Sequence, residues 1–231
     1  MTKLSRKLSI RPPVLSTAQT YLRRYLLTTP LHTTSPFLLL STCLYLASKT
    51  DEHPQHIRHV VSEARNFWPD LMTADTARLG ECEFSVIAEM RAQLVLHHPY
   101  RELLALRDRL ALTADDIGAA WWVVNDSYLT DLALLYAPHV IALAAVSLPL
   151  VLRGGGGALG PAGQAGGGGS VPGPTKAQRL VNYLAESEVE IEDVADAVQE
   201  LISLYEVWEG YSDKACKEAL TRIVRARGVD K

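Results

Sequence analysis

The sequence predicts an all-α protein, and three observations carry that expectation. Glycine is nearly confined to one place: eleven of the fifteen lie between Gly154 and Gly173, leaving Gly80, Gly118, Gly210 and Gly228 for the rest of the chain. A β-rich fold needs turn glycines along its whole length. Apolar residues recur at helical rather than alternating spacing. Prolines stand where those periodic segments begin, a position a helix tolerates. With 231 residues, 48% hydrophobic and 21% charged, the chain can bury one large or two small cores and is too apolar for general disorder.

The elements follow in order. After Pro12-Pro13, the residues Val14, Leu15, Ala18, Tyr21, Leu22 and Tyr25 keep i, i+3, i+4 spacing. Pro36 opens a second helix that carries no charge until Lys49. Ala74 to Leu94 reads as a long helix with apolar residues on two faces, Leu79, Cys82, Val86 and Met90 on one and Phe84 and Ile87 on another, so it is expected at the centre of a bundle. Thr113 and Asp116 form a helix start signal ahead of the stripe Ile117, Ala120, Trp121, Val124 and Tyr128. Ile191, Val194, Ala195, Val198, Leu201, Ile202 and Tyr205 form a late stripe. Residues 153–175 are a Gly-rich insert that buries nothing; without a preceding strand or a GxxxxGK[ST] pattern it is no phosphate loop.

The run from Pro36 resembles the run from Pro138: each is a proline followed by an uncharged helix rich in small residues, and each follows a helix with a Tyr-Leu pair. The offset of about a hundred residues is the size of a compact helical domain. The competing reading is a membrane span, because Leu132 to Leu152 is 21 residues without a formal charge. Pro138, His139 and Pro149 and the lack of an aromatic belt oppose it.

No catalytic set is recognisable. His53, His56 and His59 fan over about 120° of a helix and read as a solvated face rather than a metal site. Three scattered cysteines suit a reducing compartment, and no apolar run behind the basic start makes it a secretory signal. A net charge of −3 excludes nucleic-acid binding through overall basicity, although the charge is uneven. The first fifty residues hold seven basic and no acidic side chains, and Glu186 to Glu209 hold nine acidic and no basic ones. Lys49, ending an uncharged helix, and Glu83, between Cys82 and Phe84, are costly unless paired. They read either as an internal pair or as groups that a partner completes. Trp121, Asn125, Asp126 and Tyr128 have the composition of a docking groove, to which Tyr205 and Trp208 could add.

Taken together these residues resemble a cyclin box. The likeness rests on Leu46-Ala47-Ser48-Lys49-Thr50-Asp51-Glu52, Glu81-Cys82-Glu83-Phe84, His98-Pro99-Tyr100-Arg101, Val124-Asn125-Asp126-Ser127-Tyr128, Leu134-Leu135-Tyr136 and Leu204-Tyr205-Glu206-Val207-Trp208. It is nearest the cyclin C family, cyclin subunits of the Mediator kinase module. The resemblance implies two tandem five-helix cyclin boxes, residues 1–98 (short at its N-terminal end) and 99–231 with the glycine insert. It implies a nuclear regulatory subunit without cofactor, metal, direct nucleic-acid contact or membrane span. By the same resemblance Lys49 and Glu83 bind a cyclin-dependent kinase, while Trp121, Asn125, Asp126 and Tyr205 line a groove between the repeats that receives another kinase-module subunit. Trp122 departs from the arginine of animal relatives. A transcriptional cyclin of the elongation or TFIIH type is the alternative.

Overall fold

In a computed structural model, described for residues 1–31, 33–154 and 174–227, all regular structure is helical. The described residues fall into two compact units: Met1–His97 together with the residues from Val207 onward, and His98–Glu206.

The first unit contains α1 (Thr2–Lys7), α2 (Pro12–Thr28), α3 (Pro36–Thr50), α4 (Ile57–Phe67) and α5 (Thr76–Glu89). Its central helix is α3, which packs against α2, α4 and α5. Eleven of its fifteen residues are buried, from Pro36 to Ser48. Ser41 and Ser48 survive there because their hydroxyls donate to the carbonyls of Phe37 and Tyr45, about one turn back. Leu4 and Leu8 of the first turns are seated in the same core.

The long helix expected over 74–94 is shorter. It runs from Thr76 to Glu89, its start capped by Asp75 Oδ1 on the Arg78 amide at 2.9 Å. It stops because Arg91 and Ala92 take left-handed backbone conformations, at φ 51° and 57°. The Ala92 amide then donates to the Ile87 carbonyl and closes the helix end. Three other helices end the same way: Ile10 N–H on Ser5, His53 N–H on Ser48 and Leu112 N–H on Arg107, each after one left-handed residue (Ser9, Glu52, Ala111). None of these residues is glycine, so each end carries a local conformational cost of about 1 kcal/mol that the surrounding packing offsets.

The second unit contains α6 (Pro99–Arg109), α7 (Ala114–Ser127), the single turn α8 (Leu132–Leu135), α9 (Pro138–Gly154), α10 (Lys176–Glu186) and most of α11 (Ile191–Glu209). Here α9 is central, with an unbroken buried run from Val140 to Val146, packed against α6, α7, α8 and α10. The uncharged stretch Leu132–Leu152 is therefore two helices, broken at Tyr136-Ala137 ahead of Pro138. No described helix is long and apolar enough to cross a membrane. Most of the glycine insert lies outside the described residues.

Residues from 207 onward, assigned from sequence to the second box, cluster with the first unit. The reason is α12 (Asp213–Arg227), whose Val224 is buried in the first core and whose Asp213 pairs with Lys3 at 3.1 Å.

The start signal at Thr113 is a full capping box. Asp116 Oδ2 accepts from the Thr113 amide (2.8 Å) and hydroxyl (2.7 Å), and Lys176 of α10 pairs with the same oxygen. Burial pushes the Asp116 carboxyl up, but the Lys176 and Thr113 hydrogen bonds outweigh it and hold it down at about 2. Unfolding returns it to the ordinary range, so its contribution is complete above about pH 4 and is lost as the pH falls through about 2. Asp116→Ala is expected to lower stability near neutral pH by about 2 kcal/mol. Urea titrations should show the two proteins converging between about pH 4 and pH 2.

Candidate partner-binding sites

The first site joins the end of α3 to the middle of α5. Lys49 lies in the last turn of α3, held by the closure at Glu52-His53 and by the Thr17 hydroxyl, which donates to the Asp51 carboxylate at 2.7 Å. Its ammonium stands over the Tyr45 ring, 4.7 Å from the centroid, and is in direct contact with Glu83 Oε1. The Glu83 side chain is 11% exposed and that of Lys49 42%. The contact is an ion pair without a directed hydrogen bond at Oε1, which is buried. Of the two readings of these charges, the internal pair exists. The Lys49 side chain is still 42% exposed, and an ammonium has three donors, so a partner's carbonyl oxygens can share it with Glu83.

Beside this pair stands a residue that sequence reasoning placed wrongly. Phe84 was expected on a second buried face of α5, and it is 76% exposed. The helix is wetted on the face of Ala77, Glu81, Phe84 and Ala88, so it lies at the edge of its unit rather than at the centre. Periodicity alone could not show this, because an exposed aromatic has the same spacing as a buried one. Phe84, the next residue after Glu83, is thus an exposed aromatic, a residue type that interfaces favour.

The second site lies on α7. Tyr100 of α6 donates to Asn125 Oδ1 at 2.7 Å, and its ring lies 4.6 Å from that of Trp121. Tyr205 of α11 donates to Asp126 Oδ2 at 3.0 Å. His98 Nδ1 and the Tyr128 hydroxyl are 2.5 Å apart, and the Tyr128 ring stacks near that of Tyr100. The four expected groove residues thus belong to two hydrogen-bonded sets on one helix, Trp121 with Asn125 through Tyr100, and Asp126 with Tyr205. Burial raises the Asp126 carboxyl above its ordinary range, and the Tyr205 hydrogen bond only partly opposes this. Burial and the neighbouring Asp126 charge push the Tyr205 phenol up.

The histidine triplet does not form one helix face. His53 precedes α4 with Nε2 3.3 Å from the Ser9 carbonyl, His56 caps α4 by accepting from the Arg58 amide, and only His59 is within the helix. Among the described residues no group of three histidine, cysteine or carboxylate side chains could hold a metal ion. Cys43 and Cys82 are buried, and burial pushes both thiols up.

Residues 1–94 match the family model described as cyclin, N-terminal domain. The chain is 47% identical to the RNA polymerase II holoenzyme cyclin-like subunit of Aspergillus fumigatus, over all of this chain and 82% of that protein. The chain belongs to this family of cyclin-like subunits. Identity to the Neurospora crassa member is 38%, over all of this chain and 84% of that one. Among solved structures, a chain of the CAK complex of Chaetomium thermophilum bound to ATP-γ-S aligns with a TM-score of 0.69 at 20% identity, covering 97% of this chain and 67% of that one. A chain of the yeast TFIIK complex aligns at 0.61 and 18% identity, covering 88% and 81%. These two likenesses show the cyclin fold. The chain is thus an all-α member of a family of regulatory cyclin-like subunits, whose fungal relatives are named for the RNA polymerase II holoenzyme.

Proposed function

We propose that this cyclin-like subunit binds and activates the cyclin-dependent kinase of the Mediator kinase module, in the nucleus, so that the kinase phosphorylates the transcription machinery, including the polymerase tail. The observation that carries this reading is the Lys49–Glu83 pair, poised at a surface with Phe84 exposed beside it. A kinase is active only when its own internal Lys–Glu pair closes, which depends on the seating of one mobile helix. A partner that binds the seated state more tightly shifts that equilibrium, and a few kilocalories suffice. Trp121, Asn125, Asp126 and Tyr205 serve a different contact in this reading, with another subunit of the module. The name shared by the fungal relatives supports the polymerase setting, and the resemblance in sequence to cyclin C supports the Mediator module over the elongation and TFIIH types.

The test is reconstitution with the Mediator kinase and with a TFIIH-type kinase in parallel. Association with the first and stimulation of its activity on a polymerase-tail peptide, both lost in Lys49→Ala/Glu83→Ala, is the expected result. Preference for the TFIIH-type kinase would replace the Mediator assignment, and a folded chain that binds neither would remove it.

A further inference from the structure

A cavity of about 160 Å³ opens on the second unit between α6, α9, α10 and the turn before α11. Its floor is apolar: Leu106 of α6 and Leu143 of α9 reach it from the core, and both are buried. Val189 forms one side, fixed in the turn by its amide, which donates to the Ser187 hydroxyl oxygen at 3.4 Å. Tyr183 of α10 forms another, and the Arg109 guanidinium stands over its ring, 5.8 Å from the centroid. An apolar cavity of about 150 Å³ holds one benzene ring, so a single leucine or phenylalanine side chain fills this space.

The rim carries charge of both signs. Glu102, Ala105, Leu106 and Arg109 all line the cavity and lie within an arc of about 100° on α6. Glu102 and Arg109 are seven positions apart, so about 10 Å of helix separates their Cα atoms and they stand at opposite ends of that face. Neither charge is neutralised by the other. Among the described residues the side chains of Glu102 and His139 make no hydrogen bond or ion pair, and that of Arg109 makes only the ring contact. A compact ligand seated on the floor would meet one end of this arrangement. Three residues of extended chain span about 10 Å and meet both.

We propose that this cavity binds an extended segment of a partner protein through one leucine- or phenylalanine-sized side chain. A basic residue of the segment pairs with Glu102, and an acidic residue three positions away pairs with Arg109. The inference goes beyond the two contacts described above, uses none of their residues and stands or falls apart from them. An apolar anchor in a lined pocket supplies most of the affinity, and opposite charges at the two ends of the rim fix the direction in which the segment lies. A guanidinium held over a ring keeps its N–H edge for a carboxylate. His139, four residues before Leu143 and on the same face of α9, offers a ring nitrogen to the backbone of the segment.

The test is methyl NMR of the full chain with two synthetic peptides, Lys-Leu-Ala-Glu between glycines and the same peptide with lysine and glutamate exchanged. One of the two is expected to shift the methyl signals of Leu106, Leu143 and Val189, and to lose that effect when its leucine is replaced by serine. Glu102→Lys should weaken this peptide about tenfold and give a peptide with glutamate at both ends the higher affinity. Ala105→Phe fills the mouth of the cavity from an exposed position, so the melting temperature should hold while the shifts disappear. Absence of shifts with both peptides at millimolar concentration would overturn the proposal. So would shifts that persist with the serine peptide, or binding that Glu102→Lys and Ala105→Phe leave unchanged.

Discussion

Lys49→Glu is expected to abolish association with the kinase while the chain still folds. The substitution places a second carboxylate against Glu83, whose side chain is 11% exposed, and removes the ammonium that a partner would use. Loss of one member of a desolvated charged contact typically costs 2–5 kcal/mol of binding, about thirtyfold or more in affinity. The effect on the free subunit is smaller, about 1–2 kcal/mol, because Lys49 is 42% exposed and solvent screens the pair. Glu83→Leu separates folding from recognition. Removing one partner of a buried pair is costly when the charge left behind is itself buried, but Lys49 is 42% exposed and can be hydrated, so the melting temperature should hold while kinase affinity falls. Thermal denaturation and surface plasmon resonance on the two variants check both halves. A kinase affinity unchanged by either would remove the pair from the interface.

Leu143→Ala is expected to have the largest effect on the fold of the second unit. Leu143 is 1% exposed at the middle of α9, between Ala142 and Ala144, which are fully buried. The cavity and lost transfer energy together cost about 2–5 kcal/mol. For a chain of this size that lowers the melting temperature by about 10 °C. Circular dichroism melting of the two proteins, with Leu152→Ala as a control, measures it. Leu152 is 73% exposed near the other end of the same apolar run, and its truncation should cost little. Equal effects at the two positions would show that α9 is not packed as described.

Much of this molecule was legible from composition and spacing. The concentration of glycine in one insert and the prolines at Pro12, Pro36 and Pro138 mark helices and their starts, and each of those prolines opens an observed helix. The capping box at Thr113 and Asp116 was readable because its two residues are three apart in the chain. The end of α5 was not readable. Arg91 and Ala92 adopt left-handed conformations without glycine, at a cost met by contacts such as the Tyr21 hydroxyl on the Leu94 carbonyl, 73 positions away.

The candidate sites divide in the same manner. That Lys49 and Glu83 needed partners followed from charge in apolar surroundings, a property of their neighbours in sequence. That they are each other's partner depended on α3 packing against α5, and so did the direction in which Phe84 points. Trp121 and Trp122 are adjacent and chemically identical, yet one lies against Tyr100 and the other faces solvent. By itself the sequence determined helical class, element starts, the family and which charges were expensive, because these follow from local propensity and hydration. Tertiary structure alone decided which aromatic faces outward, where non-glycine helix ends fall, and that the last helix belongs with the first core. Each of those depends on atoms brought together from distant positions in the chain.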